Sequence, residues 1–341
     1  MTSMKLDSAD KLTASELAQL WTAYLNDTLS ICEVTYFLNH IEDPEIRELL
    51  SWSLQLSKAH IEKITTIFKG EQYPIPKGFT LQEDVNVDAP RLYSDSFMLA
   101  WLNQFGKLGL NAYSTSVQTA TREDVFDYFS ECLSESKEVI KQTNTLMLNK
   151  GLYNKPPSLP TPEGIDFVHS QQFLAGWFGD IRPITSPEIA NLHSNIERNN
   201  MGLAALIGYA QTAQSKEVTR YLLRGKEIAE KHIEVFSSVL EENDLPVPKT
   251  ISSEVTDSTA FTLTDKLMVF KTTVLIGVSL GYYGVSLAGN PRKDIGVDYS
   301  RLIAEIAKFA VDGADLLIKK GWLEEPPKAA DRDELAKKKD S

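Results

Sequence analysis

Apolar positions in the first part of the chain recur at steps of three and four residues, which is the spacing of one face of an α-helix. In residues 13–40 this stripe comprises Leu17, Leu20, Tyr24, Thr28, Ile31, Thr35 and Leu38, and the opposite polar stripe comprises Gln19, Asn26, Ser30 and Glu33. In residues 44–69 the apolar face comprises Ile46, Leu49, Ser53, Leu56, His60, Ile64 and Ile67. Pro44 suits the first turn of a helix. The pattern therefore predicts two helices joined by a short turn.

Residues 71–91 lack any such period, and two further helical patterns follow them. The third helix begins near Ser94 and Asp95 and is apolar almost all round, and the fourth runs from about Thr121 to Lys150. Two short connections flanking one long crossover are typical of a ferritin-like four-helix bundle. The sequence thus predicts an all-α bundle with a long crossover between its second and third helices.

This unit occurs twice. The stretch SKAHIEKITTIFKGEQYPIP returns as AEKHIEVFSSVLEENDLPVP, so that His60 falls on His232 with a shift of 172 (232 minus 60). Beyond the second crossover the shift becomes 170, because Met98 falls on Met268 (268 minus 98). Self-similarity at a constant offset indicates an internal duplication. We therefore predict two tandem ferritin-like four-helix bundles, each with the long crossover.

The repeat divides the chain into four predicted parts. These are a first bundle in residues 1–155, a proline- and aromatic-rich linker in 156–185, a second bundle in 186–328 and a solvated tail in 329–341. Prolines make the first part of the linker stiff. Its second part, IDFVHSQQFLAGWFGD, is apolar, and we expect it to be covered by one bundle or to lie between the two.

The overall charge and the cysteine content narrow the class of protein. The net charge of −12 argues against a long phosphate-tracking surface, so no nucleic-acid partner is expected. Cys32 and Cys132 are too few for a disulfide scaffold and are interpreted as small core residues in a reducing compartment. The N-terminal residues lack the apolar core of a signal peptide. These features predict a cytoplasmic protein.

One segment is apolar enough to be weighed as a membrane span. Residues 272–290 carry no charge, but hydroxyl residues and four glycines dilute them. The equivalent helix of the first repeat contains Lys107. A helix buried on all sides explains this segment better than a span, so no membrane partner is predicted.

Several stretches resemble a known family over essentially the whole chain. They are LWTAYLNDTLSICEVTYFL, SKAHIEKI, APRLYSDSF, GKEIAEKHIEVFSSVL, TDKLM and KKGWLEEPP. They resemble the domain of unknown function 3231 family of spore-forming bacteria, and more loosely the unit is similar to small ferritin-like spore-coat proteins. The resemblance implies a tandem ferritin-like helical fold and a link to spores, and it implies no established activity.

The residues of a ferritin-type di-iron centre are missing from the sequence pattern. Such a centre needs a Glu from each of two helices and a Glu-x-x-His from each of the other two. Ser57 and Ala229 stand three residues before His60 and His232, so neither histidine completes that motif. Glu33 lies on the polar stripe, and its counterpart is Ala205. No catalytic residue and no cofactor is predicted.

A lesser metal site is conceivable from His60, Asp27 and Glu135, with His232 as the counterpart in the second bundle. In that bundle Asn199 replaces Asp27, and Glu305 replaces Glu135. The competing interpretation is that both histidines are buried, neutral and structural, and it is the one we adopt, because one histidine per bundle is few for a transition metal. Asp95 and Asp265, which precede the third helices, are interpreted as helix caps.

The third helix of the second bundle offers a candidate contact surface. Gly277, Gly281 and Gly284 recur on one face and permit a close approach of another helix. We expect this face to meet the linker around Phe173 and Trp177 or the first bundle, and a second subunit, giving a homo-oligomer, is the alternative. Other partners are not predicted.

Three functions remain open from the sequence. The favoured one is a non-enzymatic structural or interaction protein linked to sporulation or stress. The main alternative is a metal-binding protein or oxidase with a degenerate ferritin-like centre. The third is a protein that binds a small ligand in a cavity beside His60 or His232.

Overall fold

The computed structural model describes residues 11–177 and 181–337, and within these ranges the regular structure is helical. Eight helices have 25 to 27 residues. They are α1 (Ala14–His40), α2 (Pro44–Gly70), α4 (Asp95–Thr119), α5 (Glu123–Asn149), α6 (Ser186–Thr212), α7 (Lys216–Glu241), α8 (Asp265–Gly289) and α9 (Lys293–Lys319). Two short helices, α3 (Leu81–Asp84) and α10 (Arg332–Lys337), and two 3-10 turns complete the regular structure of these two ranges. The prediction of an all-helical chain in two tandem halves is confirmed.

Each half packs its four long helices in the same way. In the first half α1 packs on α2, α4 packs on α5, and α1–α4 and α2–α5 contacts join the two pairs. In the second half α6, α7, α8 and α9 repeat these four contacts in the same order. The predicted long crossovers are present in both halves, between α2 and α4 and between α7 and α8.

The starts of α1 and α6 are fixed by equivalent glutamates. Thr13 and Glu16 form a reciprocal capping box, and Glu16 also accepts hydrogen bonds from the backbone N–H groups of Thr121 and Arg122. Thr185 and Glu188 form the same box at the start of α6. Each capping box satisfies helix N–H groups that have no partner within the helix. Glu16 therefore also ties the start of α1 to the start of α5.

Asp95 and Asp265 do not cap the helices that they begin, so that expectation is wrong. Ser94 caps α4 and Thr264 caps α8. The carboxylate of Asp95 instead accepts from the N–H of Asp43 at 2.7 Å, in the turn between α1 and α2. Asp265 does the same in the second half, accepting from Gln214 and Ser215, both at 2.9 Å.

The two crossovers lie side by side and join the halves. Val85 pairs with Leu263 and Tyr93 with Val255 in isolated antiparallel bridges. The N–H of Asn86 donates to the carbonyl of Thr262 at 2.8 Å. In the crossovers, where the backbone is not helical, N–H and C=O groups of one half thus form hydrogen bonds with those of the other half.

A buried polar contact also links the halves. Glu33 is 2% exposed, accepts a hydrogen bond from the Tyr209 hydroxyl at 2.6 Å and lies 3.2 Å from the Lys271 ammonium. The polar stripe of α1 is therefore partly an internal surface, because Ser30 and Glu33 are both buried. One continuous hydrophobic core includes residues of both halves.

The expectation that the apolar linker is covered is wrong for its middle part. Ile165 is 91% exposed, and Phe167 and Val168 are also exposed. The next part of the linker does make a contact. The guanidinium of Arg182 lies 3.9 Å from the ring centre of Phe173. Trp177 is half exposed.

The glycine face of α8 is also uncovered. A side chain at Gly277, Gly281 or Gly284 would meet no atom within 4 Å. The expected contact of this face with the linker or the first half is therefore absent among residues 11–177 and 181–337. Other α8 residues do reach the first half, since the Tyr282 hydroxyl accepts a hydrogen bond from Asn111.

Among the described residues, α8 is long and apolar enough to cross a membrane, as judged by length and composition. Within its most apolar window, 33% of the residues are buried inside the protein. The expectation of a helix buried on all sides is therefore wrong for this window, because most of its residues are half-buried or exposed.

Candidate functional site

His60 points into the interior of the first half because it continues the inward face of α2. Ser53, Ser57 and Ile64, at helical spacing from it, are buried with it. A cavity of about 190 Å³ lies against this face. All four long helices of the first half line it, and Val274 of α8 contributes from the second half.

Both imidazole nitrogens of His60 face carboxylates. Its Nδ1 lies 3.3 Å from Asp27 Oδ2, and its Nε2 lies 2.7 Å from Glu135 Oε2. His60 and Asp27 are buried, whereas the Glu135 side chain is 22% exposed. The three sequence candidates of the first half are thus brought together.

The expectation that His60 is neutral is wrong. Burial alone would lower the pKa of His60, but the charge and hydrogen bond of Asp27, together with the hydrogen bond of Glu135, raise it to about 12. Two acidic partners stabilise the imidazolium more than desolvation destabilises it. The expectation that His60 is buried is confirmed.

Cys132 also belongs to this group, although the sequence analysis assigned it only to the core. Ligand atoms of His60, Cys132 and Glu135 all lie within 4.8 Å of one another. Burial raises the pKa of the Cys132 thiol, and His60 acts in the opposite direction. We call Asp27, His60, Cys132 and Glu135 the His60 cluster.

One buried polar atom beside the cluster, the Tyr128 hydroxyl, lacks a hydrogen-bond partner among the described residues. The Tyr128 hydroxyl is close enough to Cys132 to lower the pKa of its thiol. A buried hydroxyl is rarely left without a partner, so Tyr128 indicates that the cluster has unused capacity for a ligand.

The signal that could have identified Cys132 is its spacing from Glu135. Residues three apart share one face of a helix. Of the four positions of the cluster, two differ between the repeats. Asn199 replaces Asp27, and Leu302 replaces Cys132.

His232, in the second half, has a different set of partners. Its Nδ1 lies 3.0 Å from the Tyr283 hydroxyl and its Nε2 lies 3.1 Å from Glu305 Oε2. Asn199 donates to the same hydroxyl at 2.7 Å, which leaves the hydroxyl proton for His232 Nδ1. Burial lowers the pKa of His232 despite the hydrogen bond with Glu305. The prediction of a buried, neutral, structural histidine therefore agrees with the surroundings of His232.

A di-iron centre does not fit the residues present in the described part of the chain. The buried Glu33 is occupied by Tyr209 and Lys271. The cluster around His60 offers one histidine, one thiol and two carboxylates, and Asp27 and Glu135 face opposite nitrogens of one ring. A pair of bridged metal ions needs four carboxylates and two histidines.

A second cavity, of about 120 Å³, lies between the two halves. Its lining is mainly apolar and includes three cationic side chains, Lys107, Arg198 and Lys271. Each of the three cations contacts an anionic or aromatic side chain of the protein. Lys107 lies 3.8 Å from Glu197, the Arg198 guanidinium stacks 3.4 Å from the ring centre of Tyr282, and Lys271 is paired with Glu33.

Comparison with known proteins places the repeat in a family. The family described as protein of unknown function (DUF3231) matches residues 2–165 and again residues 172–335. The chain belongs to this family. The DUF3231 match covers the two halves separately, in agreement with the duplication in the sequence.

A crystal structure of a putative spore coat protein from Bacillus halodurans is similar to part of the chain, with 20% sequence identity and a TM-score of 0.40. The similarity covers 44% of this chain and 96% of that one. No curated protein matches this DUF3231 sequence.

Proposed function

We propose that this DUF3231 protein is a non-enzymatic structural or interaction protein, built from two ferritin-like four-helix bundles and linked to sporulation or stress. It acts in the cytoplasm or in association with the spore. The proposed link to spores rests on the resemblance to a family of spore-forming bacteria.

The observation that supports this function is the exposed apolar segment of the linker. Ile165, Phe167 and Val168 lie within four residues, interrupted only by Asp166, and have most of their surface in water. Contiguous exposed apolar side chains are typical of surfaces that meet another molecule. The hydrophobic core that the two halves share supports the proposal further, because it makes the two halves one body, as suits a structural protein.

The proposal is tested in sporulating cells of the source bacterium. Tagged wild-type protein is expected in the spore fraction and to co-purify with a defined set of proteins after cross-linking. The variant with Ile165, Phe167 and Val168 all replaced by Ser is expected to lose those proteins while keeping its melting temperature. The matched control is Val311→Ser, which changes an exposed valine on α9.

Equal recovery of the same proteins by the triple variant would contradict the assignment of the linker. Absence of the protein from both spores and stressed cells would contradict the proposed link to sporulation or stress. The alternative of a metal-binding protein or oxidase is favoured by a separate observation, the convergence of His60, Cys132 and Glu135.

A further inference from the structure

We propose that the first half binds one transition-metal ion of the zinc class through His60 Nε2, Cys132 Sγ and the Glu135 carboxylate, with Asp27 as a positioning residue. This site differs from a ferritin-type centre in its ligands and in the number of ions. It does not depend on the proposed scaffold function.

The three ligand types of the cluster suit Zn²⁺. Imidazole nitrogen, thiolate sulfur and carboxylate oxygen are the three groups that bind Zn²⁺ in proteins. All three atoms lie within 4.8 Å of one another, with His60 and Cys132 buried. Three protein ligands leave a fourth position for water or a small molecule, and the adjacent cavity of about 190 Å³ has room for either.

Asp27 lies where it can fix the orientation of the His60 ring. A histidine that binds a metal through one nitrogen commonly donates the other N–H to a carboxylate, which fixes the orientation of the ring. Asp27 lies 3.3 Å from His60 Nδ1, and Nε2, on the other side of the ring, lies 2.7 Å from the Glu135 carboxylate. Asp27 does not touch the metal in this arrangement.

The Tyr128 hydroxyl, next to the cluster, is buried without a hydrogen-bond partner among the described residues. A bound ion with a water molecule in its fourth position would give the Tyr128 hydroxyl a partner. His60 Nδ1–H stays directed at Asp27 when the ion is bound.

The adjustments needed for binding are small. Zn²⁺ bonds of about 2.0–2.3 Å in a tetrahedron place ligand atoms about 3.3–3.7 Å apart. The His60–Glu135 pair, now at 2.7 Å, must open by less than about 1 Å. Glu135 can make this movement because its side chain is partly exposed. On binding, the protons of His60 Nε2 and of the Cys132 thiol pass to solvent.

The second half is a control within the same chain. It keeps the histidine and the glutamate as His232 and Glu305, but Leu302 stands where the thiol would be. The Nδ1 of His232 faces a tyrosine hydroxyl. We therefore expect one site per chain.

The test uses the full chain, freed of metal with a chelator under reducing conditions and titrated with Co²⁺ and then Zn²⁺. The expected result is one Co²⁺ per chain, with a near-ultraviolet sulfur-to-cobalt charge-transfer band that Zn²⁺ abolishes by displacement. The band identifies a thiolate ligand without any variant, so the test holds even if a variant fails to fold.

Variants then assign the roles. Cys132→Ser is expected to lose the band. Asp27→Asn is expected to keep the band and to raise the Kd for Co²⁺ by about 10–100-fold, as is usual when such a positioning partner is removed. His232→Ala is expected to change neither the stoichiometry nor the Kd. The proposal is overturned if the folded wild-type chain binds no Co²⁺, if Co²⁺ binds without the charge-transfer band, or if His232→Ala abolishes binding.

Discussion

The hydroxyl of Tyr209 in the second half donates a hydrogen bond of 2.6 Å to the carboxylate of Glu33 in the first half, and both residues are buried. The Lys271 ammonium lies 3.2 Å from the other carboxylate oxygen. This contact joins helices that the sequence repeat assigns to separate units.

We expect Tyr209→Phe to lower the free energy of unfolding by about 1.5–3 kcal/mol, because it removes a buried hydrogen bond to a charged group. Glu33→Ala should cost more, about 3–5 kcal/mol, because it leaves Lys271 buried without its partner. Urea denaturation measures both. Tyr36→Phe, which removes a hydrogen bond to the Pro90 carbonyl within the first half, is the matched control. If Glu33→Ala were neutral, the contact would be dispensable for stability.

A second prediction concerns acid stability. Although burial acts in the opposite direction, backbone hydrogen bonds from Thr13, Arg122 and Thr121 lower the pKa of Glu16 from 4.5 to about 2. Since the folded pKa lies below the unfolded one, this stabilisation is complete above about pH 4.5 and is lost as the pH falls towards 2. Glu16→Gln should lower the free energy of unfolding by about 1–3 kcal/mol at pH 7, after allowance for solvent screening.

The difference between wild type and Glu16→Gln should shrink as the pH falls through this window, and chemical denaturation at a series of pH values measures it. Glu188→Gln is the equivalent change in the second half, where the pKa of Glu188 is also lowered, against the effect of burial, by Arg182 and Thr185. A difference that stays constant down to pH 2 would show that Glu16 acts through packing alone.

The two histidines should respond unequally to removal. His60→Ala leaves Asp27 buried without a cation, and we expect a loss of about 3–5 kcal/mol in the free energy of unfolding. His232→Ala removes packing and neutral hydrogen bonds, which should cost about 1–3 kcal/mol. Both are measured in the presence of a chelator. Asp27→Asn combined with His60→Ala should recover part of the first loss, and equal costs for the two histidines would contradict the assigned difference in charge.

The open glycine face of α8 leads to a further prediction. Gly281→Ala should raise the free energy of unfolding by about 0.5–1 kcal/mol, because alanine favours helix and a Cβ there meets nothing within 4 Å. Gly208→Ala is the contrasting change, since its Cβ would overlap the phenol of Tyr93 and should destabilise the chain. Differential scanning calorimetry gives the sign of each effect. If Gly281→Ala instead lowers stability or alters the oligomeric state, this face is covered by a second subunit.

The helices and the duplication could be predicted from sequence because both leave periodic signals. The His60 cluster could be predicted in part. The spacing of Cys132 and Glu135 on α5 places both on one face, but the distance of that face from His60 on α2 depends on how the two helices pack, and the sequence does not report that. The charge of His60 could not be predicted from the sequence either. It depends on how closely Asp27 and Glu135, on two other helices, approach the His60 ring.

The contacts between the halves were not predictable for a different reason. Glu33 has the residue type of a solvated position, and only the approach of Tyr209 from another unit makes it an internal one. For the linker the error was the opposite one, because residues expected to be buried are exposed. Its aromatic composition suggested cover, yet Ile165 and Phe167 remain largely exposed.

The paired crossovers impose an order on the synthesis of the chain. The backbone partners of Asn86 and Ser94 are Thr262 and Glu254, which the ribosome reaches only after at least 160 more residues (254 minus 94). At about 5–20 residues per second this is a delay of roughly ten to thirty seconds. During that time the Glu33 carboxylate and the backbone N–H groups of Asn86 and Ser94 in the nascent first half lack their partners and are exposed to water. A chain stalled before residue 250 should therefore be a substrate for chaperones and proteases, and its release should coincide with the emergence of the second crossover.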